Sequence, residues 1–484
     1  MNAVFVDVTD LVEFRQRQES VSGVQRVVAE VAPLLRGFAP TEFVVLDRHR
    51  GVFVALSPAE VSTVIARRAR AESSATRAEL AQEAKAVLDR ARSADSVDVT
   101  GGVTLVFLGA LWINDALMMA ARLAHLQGAA IVPLLYDLTP VMEEGHTAAV
   151  NRLFERYLNL VLQCADRVPA ISQSSRRDFE EYARSRGLTA PEGSATGLPC
   201  GLSPHGRDLT TMPWPRDYAL FVGTVEARKD HIIAFRAWQQ LIEKFGAGNV
   251  PDLVCIGRLG WHASEFLREY VTTGGLDGKV SLLSSSVSDE ELARFYDHAE
   301  FTVYPSRYEG WGLPVSESLA FGKVPVAARN SAIPEAGGDL AVYFETGDPN
   351  SLAEAVEVNV LNQDRRRESE ERIRTTSLDS VTWEDVAEQM AAEIARAQWR
   401  SPVFPTLELG REYVLSVGQP PPDEGYADQY LDHLTHEGLT PMLRQPRGEQ
   451  EIEIIDAAMI GTFGSPQTWG YEIRPGAFAE FRFS

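Results

Sequence analysis

Short apolar runs recur along the chain as far as Phe344, each parted from the next by a stretch with helical spacing. Ala3 to Val8, Phe43 to Leu46, Thr104 to Leu108, Ala130 to Leu135 and Arg167 to Ile171 are runs of aliphatic, β-branched and aromatic residues bounded by turn residues, and read as buried strands. Strands alternating with helices predict a parallel sheet covered on both faces. The pattern restarts at Tyr218 with Ala219 to Gly223, Leu253 to Gly257, Val280 to Leu283, Phe301 to Tyr304, Val324 to Ala328 and Ala341 to Phe344. Between the two series, Gly197 to Pro204 and Met212 to Pro215 are rich in turn residues and mark a linker. The fold class expected is α/β, with one doubly wound domain over 1–205 and a second over 217–380. A helix over 381–400 and an extension over 401–484 follow.

Two stretches depart from this pattern. Glu60 to Arg92 is rich in Ala, Arg and Glu at helical spacing and reads as one or two helices inserted in the first domain. Arg67, Arg68, Arg70, Arg77, Lys85, Arg90 and Arg92 offer a peripheral contact to an anionic membrane, against the alternative of a solvated face balanced by Glu72, Glu79 and Glu83. From about Ser401 the character changes. Pro420-Pro421-Pro422 breaks the chain, and Glu451 to Ile455 and Trp469 to Phe483 read as strands of a small β extension, open to acceptor binding, to a homo-oligomer interface or to inert packing.

Composition narrows the partners. A length of 484 residues exceeds one ordinary core. A formal charge of -22 and a pI near 4.9 argue against a nucleic-acid partner, which needs a clustered positive face. Cys164, Cys200 and Cys255 lack metal-ligand spacing and read as free thiols of a reducing compartment. The first residues show no basic leader or small-residue cleavage site, and no apolar run reaches membrane-spanning length. A cytoplasmic location, extending to the inner face of the membrane, is the expectation.

The richest segment for chemistry is Tyr304 to Ala320, YPSRYEGWGLPVSESLA. A strand stops at Pro305, Gly310 and Gly312 permit a tight turn with room for a ligand at the backbone, and Pro314 suits the first turn of a helix. Free N–H groups at a helix start attract an anion such as a diphosphate. Glu309 on the loop and Glu317 near the first helical turn are acceptors for sugar hydroxyls, one at each end of that diphosphate. A solvated loop carboxylate and a simple helix-dipole partner are the competing readings.

That run, with Pro305-Ser306, Tyr308, Leu313 and Pro314, resembles the E-x7-E signature of the GT4 family of GT-B glycosyltransferases. The resemblance implies two facing Rossmann-like domains, with the helix from Val381-Thr382-Trp383-Glu384 through Arg396 returning to the first. Phe221 to Asp230 resembles the family segment in which a glycine turn, here Gly223, leads to a paired Arg and Lys. Arg228 and Lys229 are then expected across the cleft from the Glu309 loop, neutralising the departing diphosphate.

Further segments carry weaker likenesses. Ser20 to Val28 resembles the loop after the first strand in a bacterial polysaccharide subgroup with Gly-Ile-Gln-Arg-Val; Gly23 is expected near the diphosphate, and Gln25 and Arg26 remain either ligands or the start of a solvated face. Leu134 to Pro140 resembles a segment that commonly reads His-Asp-Leu, with Tyr136 in place of the His, leaving Asp137 and His146 for the acceptor side. Ala170 to Ser175 resembles a turn in which hydroxyls cap a helix. Cys255 to Trp261 fits the third nucleotide-side strand, and Val287 to Leu292 resembles the segment that holds the base through backbone groups.

Taken together, the resemblance implies a retaining, metal-independent hexosyltransferase using a nucleoside-diphosphate sugar as co-substrate, with no resident cofactor. Glu309, Arg228, Lys229 and Asp137 are expected at the reacting centre, and Gly23, Gly223, Val287, Gly310, Trp311, Gly312, Leu313 and Glu317 around the donor. The acceptor implied is a hydroxyl of a glycan or glycolipid in bacterial surface polysaccharide such as O-antigen, with GDP-mannose or a related GDP-sugar as donor. A UDP-sugar donor with a small acceptor and a non-catalytic glycan-binding subunit are the rivals.

Overall fold

The computed structural model describes residues 3–17, 23–65, 74–143, 148–260, 262–284, 287–376 and 381–403. Two sheets organise them. The first runs β3-β2-β1-β4-β5, from β1 (Ala3–Asp7), β2 (Thr41–Asp47), β3 (Val52–Ala55), β4 (Val103–Phe107) and β5 (Ala130–Pro133). The second runs β11-β10-β9-β6-β7-β8, from β6 (Tyr218–Val222), β7 (Asp252–Ile256), β8 (Val280–Leu283), β9 (Phe301–Tyr304), β10 (Pro325–Ala328) and β11 (Val342–Phe344). Strands β6, β7, β9 and β10 are buried almost throughout, which is why they read in sequence as unbroken apolar runs.

The first sheet corrects two expectations. It is not wholly parallel: β3 pairs antiparallel with β2, Val45 opposite Val54, after a turn through Gly51 at φ 67°. Arg167 to Ile171 does not form a strand and makes only bridges, Ala170 to Leu135 and to Ala195. Pro169 removes a ladder donor there, and the backbone at Gly193 passes so close to Val168 that a Cβ would lie 1.9 Å from its carbonyl.

In the second sheet every pairing is parallel, and the chain order reverses between β6 and β9. Loops leaving the carboxyl ends of these two neighbours therefore meet over one crevice, the place where open α/β sheets bind ligands.

The Trp383–Arg396 helix starts on a capping box of Thr382 and Asp385. Its Val386, Ala387, Met390 and Ile394 are buried with Val27, Val28 and Val31 of the Gly23–Leu35 helix, so it packs on the first domain. Arg167 fastens it through Glu393 at 2.7 Å. Beyond it, Trp399 donates to the His125 carbonyl and the Arg400 amide to Asp166, each at 2.7 Å. The expected β strands of the extension, and the proline run, lie outside the described residues. The 60–92 insertion shows helices Pro58–Val64 and Ser74–Ala91, with Arg90 paired to Glu60; Arg67, Arg68 and Arg70 lie outside the described residues. Among the described residues no helix is long and apolar enough to cross a membrane.

His231 opens the His231–Phe245 helix by stacking on Phe221 of β6, ring centroids 4.0 Å apart. Neither ring nitrogen has a hydrogen-bond partner among the described residues. Burial, helped by the Lys229 charge, pushes the imidazole down to about 3. The folded state thus refuses a proton that the unfolded chain takes up near 6.5, so this contribution is complete above that value and is lost as pH falls from 6.5 toward 3. His231→Phe should gain about 2 kcal/mol of stability at pH 5 relative to its effect at pH 8. Denaturant unfolding at both values checks this, and an equal change at both would contradict it.

Candidate functional site

The site grows from the two loops at the reversal point. After β9 the backbone is tied down on three sides: Arg307 N–H donates to the Arg228 carbonyl at 2.9 Å, Glu309 N–H to Ser331 Oγ at 2.8 Å, and Asn330 Nδ2 to the Ser306 carbonyl at 2.8 Å. These fix the Glu309 carboxylate, which is buried. Its Oε1 collects Arg228 Nη1 at 2.8 Å, Lys229 Nζ and Ser306 Oγ. Neither cation nor Ser306 occupies Oε2, and the Tyr304 hydroxyl also hydrogen-bonds to the carboxylate.

Burial alone would raise the Glu309 carboxyl, but Arg228 and Lys229 outweigh it and hold the group at about 2. A folded value below the unfolded one means the pairing stabilises above the ordinary carboxylate range and is lost as pH falls through about 2. Glu309 is therefore an anion at every physiological pH and is no general acid. Burial depresses the Lys229 ammonium, an effect that Glu309 opposes. Lys229 also donates to Tyr304 Oη at 2.8 Å, while Arg228 spans Glu226 and the Tyr308 carbonyl at 2.8 and 2.7 Å.

The expectation that Arg228 and Lys229 face Glu309 across the cleft is thus corrected. They are bonded to it, because β6 and β9 are adjacent strands of one sheet. Gly223 passes under Lys229, its Cβ position 3.5 Å from Lys229 Cδ, and its carbonyl leaves only glycine room at Gly257.

Gly312 adopts φ 110°, closed to other residues without strain, and starts the Leu313–Ala320 helix. The N–H groups of Gly310, Trp311, Gly312 and Leu313 make no hydrogen bond among the described residues. Gly310 lies against the first domain, where a Cβ would be 2.6 Å from the Tyr136 carbonyl and 3.0 Å from Asp137 Cβ. The side chains of Trp311 and Leu313 pack on the first domain's core.

Glu317 lies in the second helical turn rather than the first, and is buried. Tyr296 donates to its Oε2 at 2.8 Å, and Arg26 stands 3.7 Å from Oε1. Burial raises this carboxyl, with Arg26 and Tyr296 acting against that. Asp289, two residues beyond Val287, contacts the same arginine at 3.4 Å; Val287 itself packs against the apolar cluster that includes Leu202 and Tyr296.

Elsewhere the picture is mixed. Gly23 is exposed at φ 41° at the start of its helix, with nothing near its Cβ position; the loop before it lies outside the described residues. Gln25 and Arg26 do not begin a solvated face: Gln25 is buried on Asp10 at 3.1 Å. Asp137 accepts from the Thr139 N–H at 2.9 Å. Tyr136 turns inward to the Leu108 carbonyl, so its phenol does not replace a reacting imidazole. His146 and Trp261 lie outside the described residues. Ser172 caps the Gln173–Ser185 helix.

Two contributors escaped the sequence reading. Ser331, at φ 42°, holds the Glu309 amide while donating to Asn330, and the Asn330-Ser331 turn after β10 was its only signal. Glu335 accepts the Gln173 and Ser174 N–H groups, each at 2.7 Å, joining the domains; no motif marks it.

Residues 212–376 match the family model described as glycosyl transferases group 1. The serotype-specific mannosyltransferase WbdA of Escherichia coli is 26% identical over 277 residues, 54% of this chain and 33% of that protein. O-antigen chain mannosyltransferase B, also of Escherichia coli, is 32% identical over 179 residues, 37% of this chain and 45% of that protein. The chain thus spans between a third and under half the length of these relatives. Anabaena HepE, solved with UDP, superposes with a TM-score of 0.51 at 15% identity, over 82% of this chain and 100% of that one. Sucrose-phosphate synthase from Thermosynechococcus elongatus gives 0.51 at 16% identity, over 81% and 98%. The shared fold is GT-B.

Proposed function

We propose that this chain, whose residues 212–376 are a group 1 glycosyltransferase domain within a GT-B fold, moves a sugar from a nucleoside-diphosphate sugar to a hydroxyl of a glycan or glycolipid in bacterial surface polysaccharide synthesis. The observation that carries the reading is the Glu309 carboxylate locked by Arg228 and Lys229 at the reversal point of the matched domain. The mannosyltransferase relatives support a GDP-mannose type of donor, and the O-antigen relative supports a polysaccharide acceptor.

In this reading the diphosphate sits on Arg228, Lys229 and the free N–H groups of residues 310–313, while Glu309 Oε2 accepts from the donor sugar and Glu317 Oε1 from the ribose. The C1–O bond to the β-phosphate breaks, and its electron pair passes to a phosphate oxygen stabilised by the two cations. The acceptor oxygen bonds to C1 from the same face and gives its proton to that leaving oxygen, which retains the anomeric configuration. Asp137, held against Gly310 from the first domain, borders the acceptor side.

Incubation with a panel of GDP- and UDP-sugars, followed by mass spectrometry, tests this. One donor should be slowly hydrolysed to its nucleoside diphosphate, and faster with acceptor glycans. Absence of turnover for every donor, together with no binding of GDP or UDP, would remove the transferase reading.

A further inference from the structure

Arg26 belongs to the first domain, yet its guanidinium lies inside the second. Nη1 donates to the Gly201 carbonyl at 2.9 Å and stands 3.7 Å from Glu317 Oε1, while Nη2 is 3.4 Å from Asp289 Oδ2. The side chain is 14% exposed and that of Glu317 is 7% exposed, so this is no surface pair. Gly201 is fitted to the contact: a Cβ there would lie 2.7 Å from Arg26 Nη1 and 2.8 Å from Glu317 Oε1.

The hydrogen bonds show what the arginine is for. Gly201 and Asp289 hold it, and at 3.7 Å it attracts Glu317 without bonding to it. Tyr296 occupies only Oε2, so Oε1 accepts no hydrogen bond among the described residues. A buried carboxylate with one open oxygen needs a nearby cation to stay ionised, and an ionised acceptor binds a hydroxyl more strongly than a neutral one. The other groups around it are Tyr296, Asp289, Tyr304 and the Cys200 thiol, none of them a cation.

We propose that Arg26 is a positioning residue for nucleotide recognition: it keeps Glu317 an open acceptor for the ribose hydroxyls and makes ribose recognition depend on both domains. The proposal rests on the assignment of Glu317 to the ribose. Because Arg26 comes from the first domain and Glu317 and Asp289 from the second, the site is complete only when the two domains are together.

The test is calorimetric binding of UDP, GDP and their 2′,3′-dideoxy counterparts to the intact chain, its Arg26→Met and Arg26→Lys variants, and Glu317→Gln. The wild type should prefer the ribonucleotides by about tenfold, the size of a hydrogen bond to a charged acceptor. Arg26→Met should reduce that preference to within about twofold while changing dideoxynucleotide affinity little, and Arg26→Lys should restore part of it. A full preference in Arg26→Met, with its loss in Glu317→Gln, overturns the role of Arg26 and leaves the ribose assignment standing. No preference in the wild type overturns both. Weakening of ribo and dideoxy forms alike in Arg26→Met also overturns the proposal, since a structural loss would act on both equally.

Discussion

Glu309→Gln should lower donor turnover by at least about 10²-fold while leaving nucleoside-diphosphate binding intact or tighter. The carboxylate balances two buried cations through a single oxygen, so the amide leaves Arg228 and Lys229 with charge to spare for the diphosphate. The same change should destabilise the ligand-free chain by about 3 kcal/mol, because removing one partner of a buried ion pair strands the other. Added GDP or UDP should recover part of that loss, since the diphosphate supplies the missing negative charge. Single-turnover kinetics and melting with and without nucleotide read out both halves. Equal losses in binding and turnover would show that Glu309 only supports the loop.

Lys229→Ala is expected to cost roughly 2–4 kcal/mol of transition-state stabilisation, about 30- to 10³-fold in kcat. Its ammonium is held by Tyr304 and Glu309 in a site that burial makes nearly dry, where a fixed cation counts for more than in water. Truncation also unbinds one arm of Glu309, but Arg228 remains at 2.8 Å to keep the carboxylate paired. The variant should therefore fold, and its defect should fall on kcat more than on KM. Unchanged kcat at saturating donor would take Lys229 out of the chemistry.

Much of this was legible beforehand, for a physical reason. Strands buried on both faces leave continuous apolar runs, so β6, β7, β9 and β10 were readable almost to the residue. Gly312 and Pro314 announced a helix start that the backbone then required. What could not be read was adjacency. That Arg228 and Lys229 bond to Glu309 follows from β6 lying beside β9, and strand order leaves no local trace in composition. Arg26 stood open between a ligand and the start of a solvated face because its partners, Gly201, Asp289 and Glu317, come from the linker and the second domain. The antiparallel β3 did leave a signal, the apolar run Val52 to Leu56 directly after Gly51. Arg167 to Ile171 misled in the other direction, since its composition suits a strand while Pro169 interrupts the ladder.

The central claim is that one nucleotide sugar lies over the β6 and β9 loops. A crystal structure of the chain with an unreactive GDP- or UDP-sugar analogue tests it most directly. The account predicts diphosphate oxygens within hydrogen-bond distance of Lys229 Nζ, the Arg228 guanidinium and the N–H groups of residues 310–313, with a sugar hydroxyl on Glu309 and the ribose on Glu317. A nucleotide bound elsewhere, or one whose diphosphate touches neither cation, would contradict it.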